Sequence, residues 1–170
     1  MRRVNVAVLI SGNGSNLQAL IDAAQAVDYP ARIGLVISNN PNAYGLTRAK
    51  EAQIATAVVP HRDYPTREAF DAVLDETLRA HRMELVVMAG FMRVVSAWFV
   101  SQWQGKLINI HPSLLPKYKG LYTHARVLEA GDAEHGATVH WVVPELDSGE
   151  IIAQRRLTVS AEDTAESLQQ

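Results

Sequence analysis

The chain of 170 residues is long enough to bury the core of one domain and short for two. Its hydrophobic fraction of 48% and charged fraction of 20% are near globular averages, which excludes disordered, collagen-like and coiled-coil proteins. A formal net charge of -2 gives no basic field, so neither nucleic acid nor a membrane surface is an expected partner. The absence of cysteine excludes disulfides and thiolate chemistry and favours a cytoplasmic location.

Seven short runs rich in Val and Ile are predicted to be strands. They are 4–10, 32–38, 54–59, 84–90, 106–111, 137–143 and 150–159. The first four are almost continuously apolar, as in strands buried on both faces of a sheet. No helical pattern separates the last two, which favours an antiparallel pair there. The predicted fold is therefore α/β, with an open, mostly parallel, Rossmann-like sheet of about seven strands and helices on both faces.

Helical spacing of apolar residues predicts helices over 16–27 and 66–82. Arg67 falls in the first turn of the second helix, where the helix dipole disfavours a cation; it is either solvated or directed at a ligand carboxylate. A further helix start is predicted near Thr164, within a single domain that covers 1–170.

The segment Ser11–Asn16 follows the first predicted strand and leads into the first helix. In an α/β sheet this loop lies at the carboxyl edge, where ligands bind. Gly12 and Gly14 allow close approach of the backbone, and the free N–H groups of a helix start favour a phosphate. A third glycine and a Walker lysine are both missing, so dinucleotide or nucleoside triphosphate binding is poorly supported. A plain strand-to-helix turn explains the spacing equally well.

The predicted strand 106–111 ends in two polar residues of different chemistry. Strand alternation puts Asn109 and His111 on one face, and Pro112 ends the ladder. An amide can hydrogen-bond a developing oxyanion, and an imidazole can transfer a proton. Two solvated polar residues at a strand end are the alternative, because such pairs alone seldom indicate catalysis.

Asp147 lies in a polar turn, 145–149, between the last two predicted strands. A tertiary contact with His111 would hold one imidazole tautomer and favour the charged ring. Turn formation alone also accounts for an Asp-Ser-Gly sequence.

The chain has five further histidines, and none lies in a compact ligand motif such as HExxH, so no metal is predicted. A metal site formed by three of them with Asp147 is the alternative. Those three are His124, His135 and His140. The other two, His61 and His81, are predicted to lie at the surface.

Four segments together closely resemble the phosphoribosylglycinamide formyltransferase family, folate-dependent enzymes of purine synthesis, over essentially the whole chain. They are SGNGSNLQALID (11–22), AGFMRVVS (89–96), NIHPSLLPKYKGLYTHARVLEAGDAEHG (109–136) and ELDSGEIIAQ (145–154). HPSLLP alone would indicate only the wider formyltransferase family, and SGNGSN together with Asn-Ile-His-Pro is more specific. The resemblance implies transfer of the formyl group of 10-formyltetrahydrofolate to the amine of glycinamide ribonucleotide, on the route to IMP.

The resemblance also implies the roles of particular residues, with no metal. The catalytic trio would be Asn109, His111 and Asp147. The ribonucleotide phosphate would be bound by Gly14, Ser15 and Asn16. Folate would be held by Arg67, near its glutamate tail, and by Met92, Arg93, Val94, Val95, Asn109, Val143, Pro144, Glu145, Leu146 and Asp147.

Two departures from the family pattern accompany these implications. Tyr122 stands where bacterial relatives often have a histidine, and family members usually continue beyond Gln170 with the rest of the last helix and further ribonucleotide contacts. The expected partners are the two small-molecule substrates, with a homodimer as an option. The alternatives are a formyltetrahydrofolate deformylase, which gives the formyl group to water, and a non-catalytic domain that holds folate or phosphate.

Overall fold

The computed structural model describes residues 2–170, and the chain divides into two compact units, Met1–Ile108 and Asn109–Gln170. Seven strands form a sheet in the order β3-β2-β1-β4-β5-β6-β7. They are β1 Val4–Ile10, β2 Ala31–Ser38, β3 Ala55–Val58, β4 Leu85–Ala89, β5 Leu107–His111, β6 Glu134–Trp141 and β7 Ile151–Thr158. The predicted α/β class and the predicted strands are confirmed. The single domain over 1–170 stays a prediction.

In the first unit, β1 is paired in parallel with β2 on one side and with β4 on the other. Residues 7–10 of β1 are fully buried, which explains the continuous apolar run. The chain therefore reverses its direction of winding beside β1. In α/β sheets such a reversal opens a crevice at the carboxyl ends of the strands, and the loops after β1 and β4 border it.

Six α-helices accompany the described strands, and only α1, α3 and α6 were predicted. The helices are α1 Ser15–Ala23, α2 Tyr44–Glu51, α3 Arg67–Ala80, α4 Ala97–Gln102, α5 Thr123–Ala130 and α6 Ala165–Leu168, with a 3-10 turn at His61–Asp63. Within residues 2–170, no helix is long and apolar enough to cross a membrane.

The predicted end of the first helix at residue 27 is wrong, because α1 stops at Ala23. The guanidinium of Arg3 donates to the carbonyl oxygens of Ala24 at 3.3 Å, Ala26 at 2.7 Å and Val27 at 2.9 Å. These carbonyls turn toward a side chain from the start of the chain instead of continuing the helix.

In the second unit, β6 and β7 form the predicted antiparallel pair. β6 begins three residues before the predicted start at 137, because Glu134, His135 and Gly136 pair with the far end of β7. All eight residues of β7 are exposed. Thr164 begins the short helix α6 with a reciprocal capping box to Ser167, which explains the helix start predicted there.

Candidate active site

His111, at the end of β5, is 5% exposed and has an acceptor near each ring nitrogen. Its Nε2 lies 2.9 Å from the carbonyl oxygen of Tyr118, and its Nδ1 lies 3.6 Å from Oδ1 of Asp147. A carbonyl oxygen can only accept, so Nε2 carries a proton. The Asp147 carboxylate beside Nδ1 and the carbonyl beside Nε2 together fix the orientation of the ring, as a proton-transfer group requires.

Asp147 is positioned by its own backbone conformation and by one backbone hydrogen bond. Its own φ of 49° is in the left-handed region, which aspartate tolerates better than most residues and which turns the side chain inward. Its Oδ2 accepts the backbone N–H of Gly120 at 2.9 Å. The structure thus brings Asp147 to His111, as the tertiary hypothesis required.

Asn109 is oriented by a histidine that the sequence suggested only as an alternative metal ligand. Nδ1 of His140 lies 2.9 Å from the carbonyl oxygen of Trp141, so that nitrogen carries the proton. Nε2 is then left as an acceptor, 3.1 Å from Nδ2 of Asn109. His140 is 2% exposed, and it fixes which end of the Asn109 amide points away from it. Its role was missed because β6 gives no local pattern that singles it out.

The loop that supplies the Tyr118 carbonyl is tied down by a second polar pair. The Tyr118 hydroxyl donates to Oδ2 of Asp132 at 2.6 Å. This hydrogen bond is the main cause that raises the pKa of Tyr118 and lowers the pKa of Asp132. The acceptor for His111 therefore belongs to an anchored loop.

His124 and His135 form a separate pair, with Nδ1 of the former 2.8 Å from Nε2 of the latter. Burial lowers the pKa of His124. The pKa of His135 is lowered by burial first and by the neighbouring His124 next, against an opposing effect of Asp132. Over residues 2–170, no three histidine, aspartate or glutamate side chains are placed to hold a metal ion.

In the first unit, the loop after β1 leads into α1 through Gly14, whose φ is 76°. A Cβ there would lie 2.7 Å from Cα of Gly45, so the loop packs directly against the start of α2. A Cβ on Gly12 would meet nothing within 4 Å, so packing does not require that glycine. Ser15 and Asn16 are exposed at the helix start, and the first turn carries no acidic side chain. These features suit an anion.

Two exposed apolar segments coincide with the residues predicted for folate. Met92 and Val94 are 63% and 51% exposed, whereas Val95 is buried. Nε of Arg93 is buried and has no hydrogen-bond partner among residues 2–170. Arg67 is exposed at the first position of α3, as predicted. In the second unit, four of the predicted folate residues are exposed, namely Val143, Pro144, Glu145 and Leu146. The other two, Asn109 and Asp147, are half-buried.

His61, which was predicted to lie at the surface, is only partly exposed there. Its ring is half-buried, with Nδ1 3.1 Å from Nδ2 of Asn39, because the 3-10 turn brings it against the end of β2. His81 is exposed, as expected.

A family model described as formyl transferase matches residues 4–170, and the chain belongs to this family. The trifunctional purine biosynthetic protein adenosine-3 of Drosophila melanogaster is 52% identical over 171 residues, 99% of this chain and 13% of that protein. Phosphoribosylglycinamide formyltransferase of Escherichia coli (strain K12) is 48% identical over 165 residues, 97% of this chain and 78% of that protein. The structure of phosphoribosylglycinamide formyltransferase from Coxiella burnetii has a TM-score of 0.92 at 49% identity, covering 99% of this chain and 79% of that one.

The chain thus spans 13% of the trifunctional relative and more than three quarters of the other two. The match confirms the predicted formyltransferase family. The names of these relatives agree with the predicted transfer to glycinamide ribonucleotide and favour it over the deformylase alternative.

Proposed function

We propose that the chain transfers the formyl group of 10-formyltetrahydrofolate to the amine of glycinamide ribonucleotide. The observation that carries this proposal is the His111 arrangement, in which a buried imidazole lies between a fixed carbonyl and the Asp147 carboxylate. A family match over residues 4–170 and relatives named for this activity support the same reaction.

Three polar residues of the second unit, Asn109, His111 and Asp147, each have a chemical role in such a transfer. When bound, 10-formyltetrahydrofolate would supply the formyl carbon that the ribonucleotide amine attacks. Asn109 has a second amide N–H to stabilise the oxygen that becomes negative, because its first is held by His140. His111 lies beside that oxygen and provides the proton that the departing nitrogen gains as its bond to the formyl carbon breaks, and the proton lost by the attacking amine replaces it. Asp147 lies beside the ring and orients it.

The first unit fits the two ligands by its surface chemistry. The start of α1, with Gly14, Ser15 and Asn16, offers backbone N–H groups and two short polar side chains, which suit a ribose phosphate. The exposed side chains of Met92 and Val94 offer apolar surface for a flat ring system. The buried Nε of Arg93, which has no partner among residues 2–170, is a donor for a polar ring edge. Arg67 suits a glutamate carboxylate.

The test is to incubate the protein with 10-formyltetrahydrofolate in the presence and absence of glycinamide ribonucleotide. Tetrahydrofolate and formylated ribonucleotide are expected to form together, and only when both substrates are present. Release of formate without the ribonucleotide would establish the deformylase alternative. Folate binding without turnover would indicate the non-catalytic domain.

We expect the protein to act in the cytoplasm, since a chain without cysteine suits a reducing compartment. Its partners would be the two small molecules, without a metal. A homodimer stays a prediction, and analytical ultracentrifugation of the purified protein would determine the oligomeric state.

A further inference from the structure

Ser11, the residue directly after β1, joins two loops that the sequence assigns to different substrates. Its Oγ accepts the backbone N–H of Met92 at 2.8 Å. Ser11 directly precedes the loop predicted to bind phosphate, and Met92 begins the segment predicted to bind folate. The two loops follow β1 and β4, neighbouring parallel strands at the point where the winding reverses.

The proton of the Ser11 hydroxyl has a fixed direction. Oγ lies 2.5 Å from Oδ1 of Asn39, a separation typical of O–H···O and too short for N–H···O. The serine therefore donates to Asn39 and is free to accept from Met92. Asn39 is 5% exposed, and Nδ1 of His61 lies 3.1 Å from its Nδ2 and 3.4 Å from its backbone carbonyl oxygen, so the ring packs against this amide. Two side chains, Asn39 and His61, thus orient the Ser11 hydroxyl.

The folate segment is held at its other end as well. Oδ2 of Asp71, a fully buried residue of α3, accepts the backbone N–H of Ser96 at 2.6 Å. Between these two anchors, the side chains of Met92 and Val94 project into solvent. Ser11 provides the anchor nearest the phosphate loop, so a displacement of either loop changes the same hydrogen bond.

We propose that Ser11 is a positioning residue through which the phosphate loop and the folate segment hold each other in place, so that binding of either substrate strengthens binding of the other. The inference rests on the proposed function for the identity of the two ligands. A ligand that orders one loop also orders the other through this hydrogen bond. The second ligand then binds at a lower cost in conformational entropy.

The measurement is the dissociation constant of tetrahydrofolate, by titration calorimetry, with and without saturating glycinamide ribonucleotide. This pair of ligands cannot react. In the wild-type protein the ribonucleotide is expected to tighten tetrahydrofolate binding about fivefold or more. In Ser11→Ala, which removes both the donor to Asn39 and the acceptor for Met92, the ratio is expected to fall to about one. KM for the folate is expected to rise about tenfold while kcat changes much less.

Two further variants serve as a graded test and as a control. His61→Phe removes only the partner of Asn39 and is expected to lower the ratio part of the way. Ser101→Ala removes an exposed serine whose Oγ donates to the Trp98 carbonyl on α4, and it is expected to leave the ratio unchanged. Thermal melts confirm folding of each variant.

The two proposals fail in different ways. A wild-type protein that forms no formylated ribonucleotide overturns the proposed function. A wild-type protein that transfers the formyl group, but shows no binding ratio above one or the same ratio in Ser11→Ala, overturns the role of Ser11 alone.

Discussion

The two compact units use polar side chains in different ways. Unit 1, Met1–Ile108, contains two histidines, and neither is buried. Unit 2, Asn109–Gln170, contains four, of which three are buried to within 5% exposure: His111, His135 and His140. In unit 1 the polar groups at the strand ends are backbone N–H groups and neutral side chains that hold loops. In unit 2 they are titratable rings held by carbonyls and a carboxylate.

This contrast separates binding from proton transfer. A loop of N–H groups binds its ligand in the ground state and in the transition state alike, so its loss raises KM. A proton donor acts when charge develops, so its loss lowers kcat. Substitutions in the two units should therefore affect different kinetic parameters.

The largest effect is expected from His111→Ala in unit 2. Removal of the imidazole should lower kcat by about 10²–10⁴-fold and leave tetrahydrofolate binding nearly unchanged. Steady-state kinetics and calorimetry measure the two quantities. His81→Ala, an exposed histidine of unit 1, is the control and should retain full activity. A His111 variant within about twofold of wild-type kcat would remove the ring from the mechanism.

Gly14→Val in unit 1 should raise KM for the ribonucleotide by about tenfold or more and change tetrahydrofolate affinity little. The new side chain meets Cα of Gly45 at 2.7 Å and forces a β-branched residue into φ of 76°. Gly105→Val is the matched control, because Gly105 has φ of 71° with no heavy atom within 4 Å of an added Cβ. The control should lose stability without the change in KM. An equal rise of KM in both variants would refute the phosphate assignment.

His140→Leu should lower kcat about tenfold, because the amide of Asn109 loses the acceptor that orients it. KM for either substrate should change less. His140→Gln keeps an acceptor and should recover part of the rate. If leucine and glutamine give the same kcat, orientation of Asn109 is not the role of this histidine.

The smallest effect is expected in the pH dependence of stability. Burial lowers the pKa of both His124 and His135 in the folded protein. Below the ordinary pKa of histidine, the unfolded chain therefore binds more protons than the folded chain. Stability is therefore full above about pH 6.5 and falls as the pH drops through the lowered folded values. Each loss of about 1 kcal/mol should lower Tm by about 2–4 °C.

Scanning calorimetry from pH 7.5 to 5 tests this direction, with His135→Gln expected to flatten the curve relative to His81→Gln. A Tm that rises on acidification would contradict the assignment of the pair as neutral.

The strands could be predicted from the sequence because apolar runs and burial agree along β1, β2 and β4. The missed helices depend on contacts distant in sequence. α2 carries Gly45 in its first turn, a poor helix former that is explained only by its contact with Gly14. The end of α1 depends in the same way on Arg3, and no pattern near residue 23 indicates it.

The candidate site could be predicted from the sequence where its polar residues lie at the ends of predicted strands or in the turn between them. Strand alternation singled out Asn109 and His111 as candidates and the polar turn singled out Asp147, while the family resemblance alone implied a shared catalytic role. His140 was not assigned to the site, because its partner lies 31 residues away and its proton position follows from the Trp141 carbonyl. The hydrogen bond between Ser11 and Met92 joins residues 81 positions apart, so the sequence alone could not predict it either.

The strand β7, whose residues are all exposed, has a consequence for the behaviour of the protein in concentrated solution. It stands at one end of the sheet, and among residues 2–170 it pairs with β6 alone, so its outer rim carries free N–H and C=O groups. Such a rim is a template for stacking copies into fibrils. Arg155 and Arg156 put two positive charges in this strand, and charged side chains on an edge strand oppose edge-to-edge pairing. Like-charge repulsion at this rim is thus a built-in protection against fibril growth.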